Sequence, residues 1–490
     1  MKRFLFIALA LMLQPAAVPA ADDVVARGMK LYEKRHYNEA ISMLSAEMHS
    51  LDESRQPDAG LLLGMSFLKN AGLHMEMHRM SLVVHEHYLG KLSRQGGAAR
   101  SRMADVYLAE AMIADNKPDA AIVHLERFLA EPSVPDSEKV FGTIYLGLAH
   151  ALKGGTPEAE GLWAGVSDSS PEVKAALAAA YIKAGISGKN PVSMADEAAA
   201  ARGGKRRSMR LLKDCLSVYA KAGEVGKGLA LLKMTDLAAY SYKETSGRSK
   251  VINFYPPTLL RDMSDLYLRA AISSLEKASA AARLKDTANF YLGEAYAMAG
   301  MLDQSSKATI AFISSQMPQQ LKDIAKARQA ANLYKKGRQF DALSMWDELT
   351  KGPDNPEVLA EVLFSCYGVK AECPKAVKTA VAAVETAGGR KYAILNIAVG
   401  SYYLARRDYA KALSYLEAGR DKGNKNRIEY NDPVMLVRLA EAYYRMKKFS
   451  EALEIYFEMS RQFPEVRQIQ ETLQGVYSME HKSAGDVKIF

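Results

Sequence analysis

The sequence predicts an all-α protein, a solenoid of paired helices, and three observations carry that prediction. Alanines recur with a bulky residue four positions on: Ala40/Leu44, Ala121/Leu125, Ala159/Trp163, Ala342/Trp346, Ala412/Leu416 and Ala452/Tyr456. The residue twelve before each of these alanines is small: Gly28, Ala109, Gly147, Ala330, Gly400 and Ala440. Pro132, Pro171, Pro318, Pro353 and Pro464 follow eleven to thirteen residues after an anchor position. Small residues on two consecutive antiparallel helices let their backbones approach to about 8–10 Å. The bulky residue lies one turn further along the same face and fills the neighbouring gap. Proline then ends the second helix or starts the next.

The chain opens on a different signal. Lys2 and Arg3 precede an unbroken apolar run from Phe4 to Leu13, and Val18 and Ala20 stand at the small-residue positions of a cleavage site. This is the layout of a secretory signal peptide over 1–20, cut after Ala20. The run is about half the roughly 20 apolar residues that span a bilayer. Residue 21 is Ala rather than Cys, which argues against a lipid anchor. The short basic start and alanine exit have a bacterial form, so the expected destination is periplasmic or secreted. No later stretch is apolar enough to span, the longest being Ala175 to Ile182.

Across the 490 residues, 49% are apolar and 25% charged, ordinary globular values. Three cysteines exclude a disulfide scaffold. The net charge of +9 is a mild excess at this length, without the basic stripe that nucleic acid needs. Taken in order, the pattern divides into a helical array over 21–185, a basic linker over 186–210, and an irregular helical middle over 211–280. A second array covers 281–480, and 481–490 is a tail. The linker holds Arg202-Gly-Gly-Lys-Arg-Arg, with Arg210 and Lys213 beyond it, and reads as a solvated joint. Within the middle, 241–257 contains Gly247 and Pro256-Pro257 and reads as a non-repeat loop. Residues 61–92 are helical by pattern but poor as a repeat, because Glu76 stands where the alanine belongs.

Several motifs resemble the tetratricopeptide repeat (TPR), a 34-residue helix–turn–helix unit. Leu292-Gly293-x-x-Tyr296 matches its first helix, as do Gly400-x-x-Tyr403 followed by Ala412 and Leu416, and Ala440-x-x-Tyr443 followed by Ala452, Tyr456 and Pro464. Leu146-Gly147 with Ala159, Trp163 and Pro171 matches with His150 in the tyrosine place. The repeats at Ala376 and Gly228 are weaker, with Phe364 and Leu216 at the small position. The resemblance covers about two-thirds of the mature chain and implies an elongated scaffold that binds protein segments in a concave groove. Counted from the anchors, the groove residues it implies include Tyr334 and Lys335, Glu361 and Ser365, Ser401 and Leu404, and Glu441, Tyr444 and Arg445. The groove lacks the Lys/Asn/Arg set that clamps a C-terminal carboxylate in some family members. By the same resemblance, such exported proteins serve cell-envelope assembly: secretion, pilus, outer-membrane or exopolysaccharide machinery.

Chemistry is not signalled. No Gly-x-Ser-x-Gly elbow, His-Glu-x-x-His, phosphate loop or dinucleotide fingerprint occurs, so the expected protein is non-enzymatic and without a cofactor. His74, His78 and His85 share a helical face beside Met77 and Met80, a type of pattern some exported copper proteins use. His78 and His85 are about 10 Å apart along a helix axis, too far for one ion, so the expected metal content is none. Glycan binding is the competing reading, for which several exposed aromatic rings are wanted and only two Trp exist. Cys366 and Cys373 would face each other across one hairpin, and the sequence leaves bridged and free forms both open. Cys215 reads as a buried free thiol.

Overall fold

The computed structural model describes residues 23–94, 102–166, 171–184, 186, 241–244, 250–253, 257–351, 355–386, 392–420 and 432–460. The leader, the basic cluster at 205–213, Cys215 and the tail lie outside the described residues. So do the side chains of His85 and His87.

The fold is a solenoid of TPR-like helix hairpins. Its helices are α1 (Val24–Glu33), α2 (Tyr37–Glu47), α3 (Gln56–Arg94), α4 (Arg102–Ala114), α5 (Pro118–Ala130), α6 (Asp136–Leu152), α7 (Thr156–Ala164) and α8 (Pro171–Ala184). They continue with α9 (Pro257–Ser279), α10 (Lys285–Met298), α11 (Leu302–Ile313), α12 (Gln319–Lys335), α13 (Gln339–Leu349), α14 (Pro356–Val369) and α15 (Pro374–Thr386). The last four are α16 (Ala393–Ala405), α17 (Tyr409–Arg420), α18 (Pro433–Arg445) and α19 (Phe449–Ser460). One element departs from the expected loop at 241–257. Strands β1 (Ser241–Glu244) and β2 (Lys250–Asn253) form an antiparallel hairpin with Ser241 opposite Asn253. Tyr242, Val251 and Ile252 are strand-favouring residues that the turn signal at Gly247 obscured.

The small–small rule is visible in atoms. A Cβ on Gly147 would lie 2.3 Å from Trp163 Nε1, and one on Gly400 would lie 2.7 Å from Leu416 Cγ and 3.0 Å from the Ala412 carbonyl. Trp163 and Trp346 fill the same place in their hairpins, each 1% exposed. Their indole N–H groups donate to Ile144 O and Ala327 O, both at 3.0 Å.

The first helix of each hairpin that is contiguous in sequence ends the same way. Arg35, Asn116, Gly154, Gly300, Gly337, Lys370, Arg407 and Lys447 all take left-handed backbone, with φ from 55° to 90°. The next residue's N–H reaches the carbonyl five back, as His36 to Leu31, Arg338 to Leu333 and Lys448 to Tyr443, each at 2.9 Å. These are Schellman turns, which satisfy the last carbonyls of a helix. In all but one, the small residue lies seven before the left-handed residue and the anchor five after. The exception is α14/α15, where Ala376 comes six after Lys370. This longer turn corrects the sequence register there: Leu363, not Phe364, takes the small position. Cys366 and Cys373 are bridged across this turn, with Cα atoms 6.5 Å apart.

The chain divides into two compact units, drawn differently from the sequence division. One holds residues up to Leu73 together with Tyr267–Phe463; the other holds His74–Leu266. The larger unit contains a hairpin whose two helices are far apart in sequence. A Cβ on Gly64 in α3 would lie 2.7 Å from Leu275 Cγ and 3.2 Å from the Ala271 carbonyl in α9. This is the Gly400–Ala412–Leu416 contact again, with the anchor 207 positions on (271 − 64) instead of twelve. Phe67 meets Tyr267 at 6.0 Å, as an antiparallel pair requires. Glu76 therefore stands at the anchor position in sequence but not in space; Ala271 takes that role. The larger unit thus runs as seven described hairpins, α1/α2, α3/α9, α10/α11, α12/α13, α14/α15, α16/α17 and α18/α19.

The smaller unit contains α4/α5 and α6/α7, then α8. Arg127 and His124 of α5 both reach Asp105 of α4. Tyr181 of α8 closes over Trp163, with ring centroids 4.5 Å apart. Among the described residues, no helix is long and apolar enough to cross a membrane.

Candidate functional site

From α10 to α18 the first helices of successive hairpins lie side by side and share one face, here the inner face. Its most ordered feature is a charge ladder. Arg328 of α12 reaches Glu294 of α10 at 3.0 Å and Glu361 of α14 at 3.0 Å. Its guanidinium also lies 4.6 Å from the ring centre of Phe290. Lys69 of α3 feels the negative field of Glu294, which holds its ammonium protonated above the usual lysine range. Burial would raise the Glu294 carboxyl, but Arg328 and Lys69 together outweigh it and hold that carboxyl below its ordinary value. Burial also opposes the charge on Arg328, and Glu294 and Glu361 overcome it, so this arginine stays charged. Burial pushes the phenols of Tyr32, Tyr37 and Tyr291 up, which keeps them neutral hydrogen-bonding groups.

A second arginine works the same face further on. Arg438 of α18 donates to Ser401 Oγ at 3.0 Å and lies over the rings of Tyr367, at 4.4 Å, and Phe364, at 5.4 Å. Arg328 and Arg438 occupy the same place, two residues before the small position of their helices (Ala330 and Ala440). That coincidence is the sequence signal for both, and the groove positions taken from the repeat pattern missed it. Those positions also missed Phe364 and Tyr367, because the α14/α15 turn is one residue longer.

The residues expected to line the groove fall into three groups. Ser365, Ser401, Leu404, Glu441 and Tyr444 are buried. Ser401 also donates to Ile397 O at 2.7 Å, and the Tyr444 ring stands edge-on to Phe449 at 5.3 Å. Tyr334 and Glu361 are half-buried, Tyr334 beside Trp346 at 6.1 Å and Glu361 on Arg328. Lys335 and Arg445 are exposed. Lys335 Nζ lies 3.4 Å from Ala297 O, and Arg445 lies over the Tyr409 ring at 5.5 Å with Nε 3.9 Å from Glu441. The structure brings Arg445 and Glu441 together and sets the Tyr444 ring against Phe449 of the next helix. His74 and His78 are buried on α3, and among the described residues no group of three His, Cys, Asp or Glu could hold a metal ion.

The class defined by this geometry is a TPR-like solenoid with an Arg- and aromatic-lined inner face. No protein-family model matches the chain, and no curated protein matches it. Among solved structures, the chain is similar to yeast Tom70 at 13% identity and a TM-score of 0.31, over 99% of this chain and 97% of that one. It is similar to the APC/C hetero-tetramer Cut9-Hcn1 at 11% identity and a TM-score of 0.29, over 97% and 93% of the two chains. The TPR domain of P58(IPK) aligns at 15% identity and a TM-score of 0.18, over 87% and 98%.

Proposed function

We propose that this protein is an exported, non-enzymatic scaffold whose inner face binds protein segments in cell-envelope assembly: secretion, pilus, outer-membrane or exopolysaccharide machinery. The observation that carries the reading is the inner face itself. Half-buried Arg328 and Tyr334 and exposed Arg445 stand on it, and Arg and Tyr are residue types that dominate binding energy at protein interfaces. The exposed Lys335 and Arg445 extend that face outward. Glycan binding fits less well, because Trp163 and Trp346 are each 1% exposed and offer no ring to a sugar. The export part rests on the leader over 1–20.

A photo-crosslinking residue placed at Lys335 or Arg445 tests the binding part in intact cells. Both positions should trap the same polypeptide, while Phe340, 83% exposed on the second helix α13, should not. Crosslinks from Phe340 alone would move the binding surface off the inner face. Sequencing the mature N-terminus tests export: it should begin at Ala21, and a start at Met1 in the envelope fraction would end that part of the reading.

A further inference from the structure

Among the described residues, a charged pair links the first and last hairpins of the larger unit. Arg35, in the turn of the first hairpin, donates from Nη1 to Asp432 Oδ2 at 2.7 Å across 397 positions of chain. Arg35 is 7% exposed and also reaches the Tyr37 hydroxyl at 3.3 Å. Its backbone is left-handed at φ 65°, a conformation that other hairpins give to Gly154, Gly300 and Gly337. Asp432 has a second task as the N-cap of α18, accepting from Val434 N at 3.1 Å. Asn116, Lys370, Arg407 and Lys447 hold the same turn place in other hairpins, so what sets Arg35 apart is its partner, the N-cap residue at the start of the seventh hairpin.

The pair joins hairpins that are not successive. From α12 to α16 successive hairpins share one continuous buried apolar cluster that includes Trp346, Leu359, Leu363, Val384, Leu395 and Val399. A charge-assisted pair can exchange one carboxylate for another, or for water, without exposing apolar surface. Release of Asp432 leaves the buried Arg35 guanidinium in want of an anion, so a carboxylate is the group that can take its place.

We infer that Arg35 and Asp432 form a latch that holds the first hairpin against the seventh, closes the inner face of the larger unit, and opens to admit an acidic partner segment. The inference rests on the inner face being the binding surface. In the full chain carrying Cys215→Ser, nitroxide labels at Lys34→Cys and Lys448→Cys, both exposed, report the gap by pulsed electron resonance. Without further change the distance distribution should be narrow. Asp432→Asn keeps the N-cap and Arg35→Gly keeps the left-handed turn, so each removes the pair while leaving its helix end satisfied. Each should lengthen and broaden the distribution with helix content unchanged. Two distributions that match the parent would overturn the latch.

Crosslinking from Arg445 then separates the two readings. If the latch gates binding, Asp432→Asn should raise the yield in proportion to the open fraction. An unchanged or lower yield, with the distance lengthened, would overturn the gating. Failure of crosslinks at both Lys335 and Arg445, with the distance still responding, would instead strike the inner-face reading and leave the moving join in place.

Discussion

Two hairpins of the larger unit make the same contact by different routes. In α16/α17 the glycine and its anchor, Gly400 and Ala412, are twelve residues apart, joined by one Schellman turn. In α3/α9 the pair is Gly64 and Ala271, and the whole smaller unit lies between them. The packed atoms correspond: a Cβ at either glycine would sit 2.7 Å from a leucine Cγ and 3.0 to 3.2 Å from the anchor's carbonyl. What specifies the repeat is therefore the fit of a small residue against an opposing backbone, and chain adjacency is dispensable. Loop-closure entropy makes this tolerable, since each doubling of a loop costs only about 0.6 kcal/mol.

The comparison can be broken most severely by excision. Removing residues 72–266 and changing Ala71→Gly would place Gly at the left-handed position, seven after Gly64, and Ala271 five after it. That register should give a folded array with a cooperative thermal melt, readable by circular dichroism. Removing residues 70–266 instead shifts Ala271 by two positions and turns its face away, and the second hairpin should fail to form. Equal melts for both excisions would refute the register.

Matched overpacking is the next effect in size. Ala271→Leu and Ala412→Leu should each cost about 1–3 kcal/mol, because both alanines are 0% exposed at a close helix crossing. Denaturant titration should show similar losses. A loss confined to Ala412→Leu would mean that the α3/α9 contact is not a true counterpart.

The charge ladder ties the two parts of the interrupted stretch, since Lys69 precedes the smaller unit in sequence and Glu294 follows it. Glu294→Gln should cost about 1–3 kcal/mol at neutral pH by leaving Lys69 and Arg328 opposed. The sign with pH follows from the lowered carboxyl. Its contribution is complete above the ordinary value of 4.5 and is lost as pH falls through the lower folded-state value. The gap between parent and variant should therefore close below pH 4.5, and a gap that persisted or widened in acid would contradict the ladder. The smallest effect is at the turns. Gly337→Ala, at φ 83°, should cost about 1 kcal/mol, whereas Lys370→Ala should be nearly neutral because that turn already carries a side chain at φ 55°.

Most of the hairpins were readable from the glycine and alanine spacing, because a close helix crossing leaves its mark at both partners within one short stretch of chain. The α3/α9 hairpin was not. Its two marks are 207 residues apart, and nothing near Gly64 points to Ala271. The α14/α15 register slipped for a local reason: an extra residue in a turn leaves no trace when Lys370, rather than glycine, takes the left-handed place. At the candidate site, counting from the anchors names positions on the first helices but does not tell which side chains stay open. The burial of Ser401 and Tyr444 depends on Arg438 and Phe449, and the value of Arg328 depends on Glu294 and Glu361 in neighbouring repeats.

The split hairpin also sets an order of assembly. Helix α3 leaves the ribosome 163 residues before α9 begins (257 − 94), and at about 5–20 residues per second that is a wait of roughly 8–33 s. Through that interval Gly64 and Phe67 lack the partners that α9 brings, Leu275 and Ala271 for the one and Tyr267 for the other. The contiguous run α10 to α19 meets no such delay, since each hairpin there closes over a short turn. Assembly of the larger unit therefore runs from its N-terminal end with one pause: α1/α2 closes first, α3 waits for α9, and α10 to α19 then add behind α9.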